Sequence, residues 1–154
     1  MRLVVQRVSS AWVAVQGRRV AGIGPGLLVL AGIATGDSPA IVERLARRVA
    51  EVRIFEDGAG KMNLSAVDTG AEVLCVSQFT LYGDMRRGRR PSFDRAAPGP
   101  VAQPLFDRFC ESIEHTGLRC ARGVFGAEME VGLVNDGPVT LVLDSEELER
   151  PRRA

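Results

Sequence analysis

The stretch Leu133-Val134-Asn135-Asp136-Gly137-Pro138-Val139-Thr140-Leu141-Val142-Leu143 decides how the C-terminal third of the chain is built. Two apolar runs, 133–134 and 139–143, read as one buried strand or as two paired ones. Between them lie four residues that interrupt strands, and Pro138 removes a ladder donor where the second run begins. Asn-Asp-Gly suits an ordinary hairpin turn, the reading that pattern alone favours. The alternative is backbone held in an uncommon shape. An X-Pro bond adopts the cis form at a cost of about 0.5–1 kcal/mol, against about 2.5–4 for other residues. A cis Gly137–Pro138 bond would turn its adjacent carbonyls outward without using any side chain.

Upstream, residues 2–8 and 11–15 alternate and are rich in Val, which predicts strands. Gly17 turns the chain into 18–22, and Gly24-Pro25-Gly26 precedes a nearly continuous apolar run, 27–33, that suits a central strand covered on both faces. Asp37-Ser38-Pro39 opens a helix with a polar cap and an early proline. Ile41, Val42, Leu45, Val49 and Val52 form its apolar face. A short strand is expected at 53–55, and a longer one from Ala71 to Tyr82. A loop follows from Asp84 to Pro100. A second helix runs from about Val101 to His115, burying Val101, Leu105, Phe106, Phe109 and Ile113, and stops at Gly117. Strands at 118–122, 129–135 and 139–144 precede a polar tail expected to fray. The fold class is mixed α/β: one domain over 1–145, with two main helices on one side of a curved sheet, and a tail at 146–154.

Composition narrows the function. With 154 residues, the chain buries roughly 70% of its unfolded surface and needs no staples. A net charge of +1 gives no global attraction for polyanions, so nucleic-acid contact requires a local patch. Three cysteines without C-x-x-C spacing read as reduced and buried, which favours the cytosol. No apolar stretch reaches membrane-spanning length. The single histidine, His115, sits at a helix end, where a cation complements the dipole, and any triad that needs histidine would have to use it, which argues against such triads. The cysteine spacing offers no zinc site, and no metal or other cofactor is expected. Gly58-Ala59-Gly60-Lys61-Met62 lacks the remaining residues of a phosphate loop and reads as a turn.

Two stretches retain chemical interest. Ser77-Gln78-Phe79-Thr80 places polar groups at the end of an apolar strand, where they meet either solvent or a ligand. Arg86-Arg87-Gly88-Arg89-Arg90 reads equally as a solvated loop or as a phosphate-binding patch, with Ser92 adding a hydroxyl.

Taken together, Val5-Gln6-Arg7-Val8, Gly60-Lys61-Met62-Asn63-Leu64-Ser65, Ser77-Gln78-Phe79-Thr80-Leu81, Gly88-Arg89-Arg90-Pro91-Ser92-Phe93, Phe125-Gly126-Ala127-Glu128-Met129 and Asn135-Asp136-Gly137-Pro138-Val139-Thr140 resemble the D-aminoacyl-tRNA deacylase family. The resemblance covers residues 1 to about 145. Trp12, Gly83 and Met85 depart from the family pattern outside its signature motifs. The resemblance implies a three-layer α/β fold with a barrel-like sheet. It implies a cytoplasmic homodimer, active sites at the subunit interface, that cleaves the ester of D-aminoacyl-tRNA and of mischarged glycyl-tRNA. It further implies a cis Gly137–Pro138 bond that reads chirality in the other subunit's site, supported by Arg7 with Thr140 beside it. Ser77, Gln78, Phe79 and Thr80 match the catalytic stretch. The Phe79 and Thr80 amides are assigned as oxyanion donors, and Ser77 and Gln78 as positioning groups for ester and adenosine. No base is evident to activate Thr80, so the tRNA 2′-hydroxyl is expected to assist. Phe125 and Met129 match positions near the adenosine pocket, although core packing suits them equally. Arg86, Arg87, Arg89 and Arg90 would meet tRNA phosphates. The alternatives are a non-catalytic nucleic-acid-binding module and an esterase for small acylated metabolites.

Overall fold

The computed structural model describes residues 1–151. β1 (Arg2–Val15) is a single 14-residue strand rather than two, and it organises the sheet. Its first half lies between β3 (Gly26–Gly32) and β8 (Glu130–Asp144), while its second half lies between β2 (Arg18–Ile23) and the same β8. One long strand that changes neighbours halfway curls the sheet into an open barrel. Beyond β3 the order continues through β6 (Glu72–Ser77) to β7 (Cys120–Arg122), both added in parallel. β4 (Phe55–Glu56) and β5 (Met62–Leu64) form a separate hairpin around the 57–61 turn.

Two apolar cores on opposite faces of the sheet give three layers. One is the barrel interior, with Val8, Val13, Ile23, Leu28, Leu74 and Val76. The other lies under α1 (Pro39–Glu51) and α3 (Gly99–Glu114), with Leu3, Val5, Leu45, Val49, Phe106 and Phe109. The α1 N-terminus follows its sequence signals: the Ser38 side chain accepts from the Ile41 amide, and Pro39 occupies the first turn. Ser65 caps the one-turn α2 (Ala66–Thr69) in a reciprocal pair with Asp68, a signal the sequence carried but the strand-and-helix periodicity did not reveal.

The structure corrects four further expectations. The strand expected over 71–82 ends at Ser77, and Phe79–Tyr82 coil into a 3-10 turn. The ladder with β3 closes at the Ala31–Ser77 pair, one residue before β3 itself ends. Val101 is exposed on α3 rather than buried. The 145–149 part of the expected frayed tail is a short helix, α4 (Ser145–Glu149), anchored because Ser145 is buried and accepts a bond from the chain's amino terminus. The rest of that tail beyond 151 lies outside the described residues. Finally, 129–135 and 139–144 are one strand, not a hairpin, since both halves pair with β1.

The pairing of that strand contains its main irregularity. Gln6 is opposite Thr140 and Val8 is opposite Asn135, so Arg7 alone faces Asp136, Gly137, Pro138 and Val139. The surplus backbone bulges from the sheet, and Pro138 sits where no ladder donor is required.

Parallel pairing of β3 and β6 demands close approach at its start. A Cβ on Gly26 would lie 1.9 Å from the Glu72 carbonyl oxygen, so the strands could not keep their register. Gly26→Ala is therefore expected to destabilise the fold by about 3 kcal/mol, the upper range of overpacking penalties, read from the midpoint of urea denaturation.

Candidate active site

Where β6 ends, the chain opens a cavity of about 570 Å³. Ser77, Gln78 and Phe79 form one wall, and Phe125 and Met129 another, with Phe93 closing a side. The aromatic groups are fixed by packing. Phe79 meets Phe93 edge-on at 5.1 Å between ring centroids, and Phe125 leans on the buried Phe106 at 6.1 Å. Phe93 was not among the residues expected at the site, because nothing in the local pattern of its loop marks it. Apolar walls with few polar groups at one rim are the composition of a small-molecule or nucleobase pocket.

The polar rim comes from the 3-10 turn. Phe79 and Thr80 are its first residues, and among the described residues their amides have no acceptor; the next amide, Leu81, bonds back to the Gln78 carbonyl. Two adjacent amides without partners form an anion-accepting edge. The Gln78 side-chain amide donates to the Thr80 hydroxyl, fixing both side chains. No general base approaches Thr80 through a hydrogen bond among the described residues. His115 caps the C-terminus of α3 and does not line the cavity.

Beyond Tyr82, a bridge between Asp84 and Ser92 pinches off the arginine loop. Arg86, Arg87, Arg89 and Arg90 are all exposed. Arg86 pairs with Asp84 at 2.6 Å, and that guanidinium holds the Asp84 carboxyl at about 2. Arg86 is thus neutralised at working pH, and Arg87, Arg89 and Arg90, which make no ion pair among the described residues, carry the loop's charge. Phe93, at the loop's exit, joins it directly to the cavity.

The second half of the candidate site lies at the bulge. The Gly137–Pro138 bond is cis, and both residues are exposed. Asn135 clamps the base of the bulge by donating to the Arg7 carbonyl at 2.9 Å and to the Val139 carbonyl at 3.0 Å. Arg7, only 6% exposed, donates to the Ile54 carbonyl at 2.7 Å and to the Asp136 carbonyl at 3.3 Å, with the Asp136 carboxylate also at 3.3 Å. Thr140 stands beside it, accepting from Gln6 at 3.3 Å. Gly137 has φ +125°, and a Cβ there would meet Val139 at 2.8 Å and the Arg7 guanidinium at 3.0 Å. Within one chain this bulge does not line the cavity, so the two halves remain separate. Asn135 is the residue whose structural role the sequence did not disclose, since a side chain that spans a bulge is recognisable only after pairing.

The chain matches the family described as D-Tyr-tRNA(Tyr) deacylase over residues 4–144. It is 57% identical over 148 residues to a D-aminoacyl-tRNA deacylase of Thermomicrobium roseum, covering 96% of each chain. It is 54% identical over 154 residues to one of Chloroflexus aurantiacus, covering 100% of this chain and 96% of the relative. Among solved structures, a c-Myc DNA unwinding element binding protein superposes with a TM-score of 0.88 at 40% identity, over 94% of this chain and 98% of that one. A probable eukaryotic D-amino acid tRNA deacylase shares the fold with a TM-score of 0.82 at 18% identity, over 92% and 97%. The class is that of the deacylases, enzymes that cleave an acyl ester. Within it, the chain belongs to the D-aminoacyl-tRNA deacylase family.

The buried Arg7 sets the stability of the bulge. Arg7→Ala leaves the Ile54 carbonyl without its charged donor and releases Asp136. The expected cost is about 2–3 kcal/mol, the worth of hydrogen bonds to a charged group, measured by thermal denaturation and accompanied by faster amide exchange at Gly137.

Proposed function

We propose that this chain hydrolyses the ester that joins a D-amino acid to the 3′-terminal ribose of tRNA, as a homodimer in the cytoplasm. The observation that carries this reading is the pair of acceptor-free amides at Phe79, which lines an aromatic cavity, and at Thr80, the next residue along the chain. The cavity is suited to the terminal adenosine, stacked against Phe125 with the thioether of Met129 alongside. Ser77 and Gln78 orient the ester, whose carbonyl oxygen then points at the two amides. As water attacks, charge grows on that oxygen and the amides stabilise it, a contribution of about 3 kcal/mol for each such donor.

Activation of water falls to the substrate. Thr80 has no base, and its hydroxyl is already engaged by Gln78. The ribose 2′-hydroxyl adjoins the ester in every aminoacyl-tRNA, and it assists the attack. Arg87, Arg89 and Arg90 hold phosphates of the acceptor end, sequence-independently.

Chirality is read by backbone. The exposed Gly137–Pro138 unit of one subunit reaches the cavity of the other, which explains why the bulge is built rigidly yet lies away from its own chain's cavity. Exposed Val134 and Val142 on β8 supply apolar surface for that association. Enantiomers exchange hydrogen and side chain at one carbon. A fixed wall of carbonyls therefore admits hydrogen and collides with an L side chain. A D side chain points away from the wall and needs no pocket of its own. Glycine has no side chain to reject, so glycyl-tRNA is also cleaved.

A second reading, a nucleic-acid-binding module, draws on the exposed arginines and on the 40% identity to a protein described as binding a DNA unwinding element. Purified protein mixed with D-Tyr-tRNA and with L-Tyr-tRNA separates the two readings: the deacylase releases tyrosine from the D substrate alone, whereas the binding module releases it from neither and shows only salt-dependent association.

The mechanism gives two further expectations. Thr80→Ala retains most of the turnover, because neither the oxyanion amides nor the attacking water depends on its hydroxyl; complete loss with a trapped acyl-threonine would mean covalent catalysis. A tRNA ending in 2′-deoxyadenosine is hydrolysed slower by roughly 10²-fold or more, the scale of a lost proton-transfer partner, in single-turnover assays.

A further inference from the structure

All three cysteines of the chain meet at one point. Cys75 of β6, Cys120 of β7 and Cys110 of α3 bring their sulfurs within 4.8 Å of one another, with Cys75 and Cys120 at 3.6 Å. They come from three separate elements, and 45 residues separate Cys75 from Cys120. Cys75 and Cys110 are fully buried among apolar side chains of the helix-side core, while Cys120 is partly exposed and provides a way in. No histidine or carboxylate joins the cluster among the described residues.

Spacing distinguishes what such a cluster can do. A disulfide requires sulfurs about 2.05 Å apart and Cα atoms no more than about 7 Å apart. Cys75 lies two residues beyond Val73, the partner of Cys120 in the parallel ladder, so the two cysteines are diagonal neighbours and the closure would drag β6 against β7. Three thiolates around one ion instead want about 4.0 Å between sulfurs, the spacing set by metal–sulfur bonds of about 2.3 Å in a trigonal plane. The observed distances already have that scale. Zinc prefers four ligands, whereas soft closed-shell monovalent ions are satisfied by thiolate alone. Burial pushes the Cys75 thiol up, and the hydrogen bond to Cys120 does the same at Cys110, so an incoming ion must displace protons that the metal-free cluster holds. Arg122 pairs with Glu114 at 3.1 Å and Asp107 at 3.8 Å.

We infer that Cys75, Cys110 and Cys120 form a three-thiolate site for a soft monovalent metal ion of the Cu(I) kind. Binding forms three metal–sulfur bonds, displaces the thiol protons to solvent and changes no oxidation state. The ion ties β6, which carries Ser77 at its end, to β7 and α3.

The test uses the full-length reduced protein under anaerobic conditions, with Cu(I) supplied as its coloured bicinchoninate complex. One equivalent of Cu(I) per chain is expected to transfer, with loss of the chelator colour. Cys120→Ser, a change at the partly exposed position, is expected to lose that transfer while keeping the wild-type circular dichroism spectrum. Wild-type protein loaded with Cu(I) is expected to resist alkylation at Cys120, read by peptide mass. The inference is overturned by no transfer to the wild type, by equal transfer to Cys120→Ser, or by unchanged alkylation after loading. No tRNA is present, so the outcome stands apart from the deacylase reading.

Discussion

The unequal pairing of β1 and β8 is the constraint on which the rest of the molecule depends. Two long antiparallel strands hold together along almost their whole length, yet opposite Arg7 the partner strand carries four residues. A sheet cannot absorb that surplus, so the backbone at 136–139 leaves the ladder, and Arg7 and Asn135 tie down its base. The guanidinium is buried, so its hydrogen bonds act in a medium where losing one is costly. A flexible loop could present the same carbonyls, but it could not hold them in one position. Rigidity here is a property of sheet pairing, transmitted through one arginine and one asparagine.

The same curled sheet creates the other half of the candidate site. The β3–β6 ladder ends at the Ala31–Ser77 pair, and the chain turns into a 3-10 segment whose first amides lack acceptors. Ending a strand therefore generates the polar rim, and the second apolar layer supplies the aromatic walls. The proposed chemistry uses main chain at both points, amides for charge and carbonyls for shape, and so needs nothing from the single histidine, which lies outside the cavity lining. In the proposed mechanism the remaining catalytic group, the ribose hydroxyl, is brought by the nucleic acid.

Much of this organisation was legible in the residues, though unevenly. Ser38-Pro39 and the apolar spacing of 41–52 define α1 because helix signals are local. The alternation of Val5-Gln6-Arg7-Val8 reveals strand, but not that β1 continues through Ser9 and Ser10, which depends on a partner running alongside. The same non-locality hid the end of β6: 71–82 contains no breaker before Gly83, and the strand stops where its pairing with β3 does. Gly137-Pro138 looked like a turn by composition, since Asn-Asp-Gly fits one; only pairing on both sides distinguishes a bulge from a hairpin. Motif resemblance grouped Phe125, Met129 and the 77–80 segment, and all of these except Thr80 line one cavity. The convergence of the cysteines had no signal at all in their spacing, because a helix and two parallel strands bring them together.

The central claim is that stiff main chain from a second subunit faces the α-carbon of an aminoacyl group held at the 79–80 amides. The most direct measurement is a crystal structure with the non-hydrolysable analogue D-tyrosyl-3′-aminoadenosine. The account predicts adenine against Phe125, the acyl oxygen on the Phe79 and Thr80 amides, and the Gly137–Pro138 carbonyls of the other subunit against the α-hydrogen. An analogue bound with its α-carbon open to solvent, or a Gly137–Pro138 unit remote from both cavities of the assembly, would contradict it.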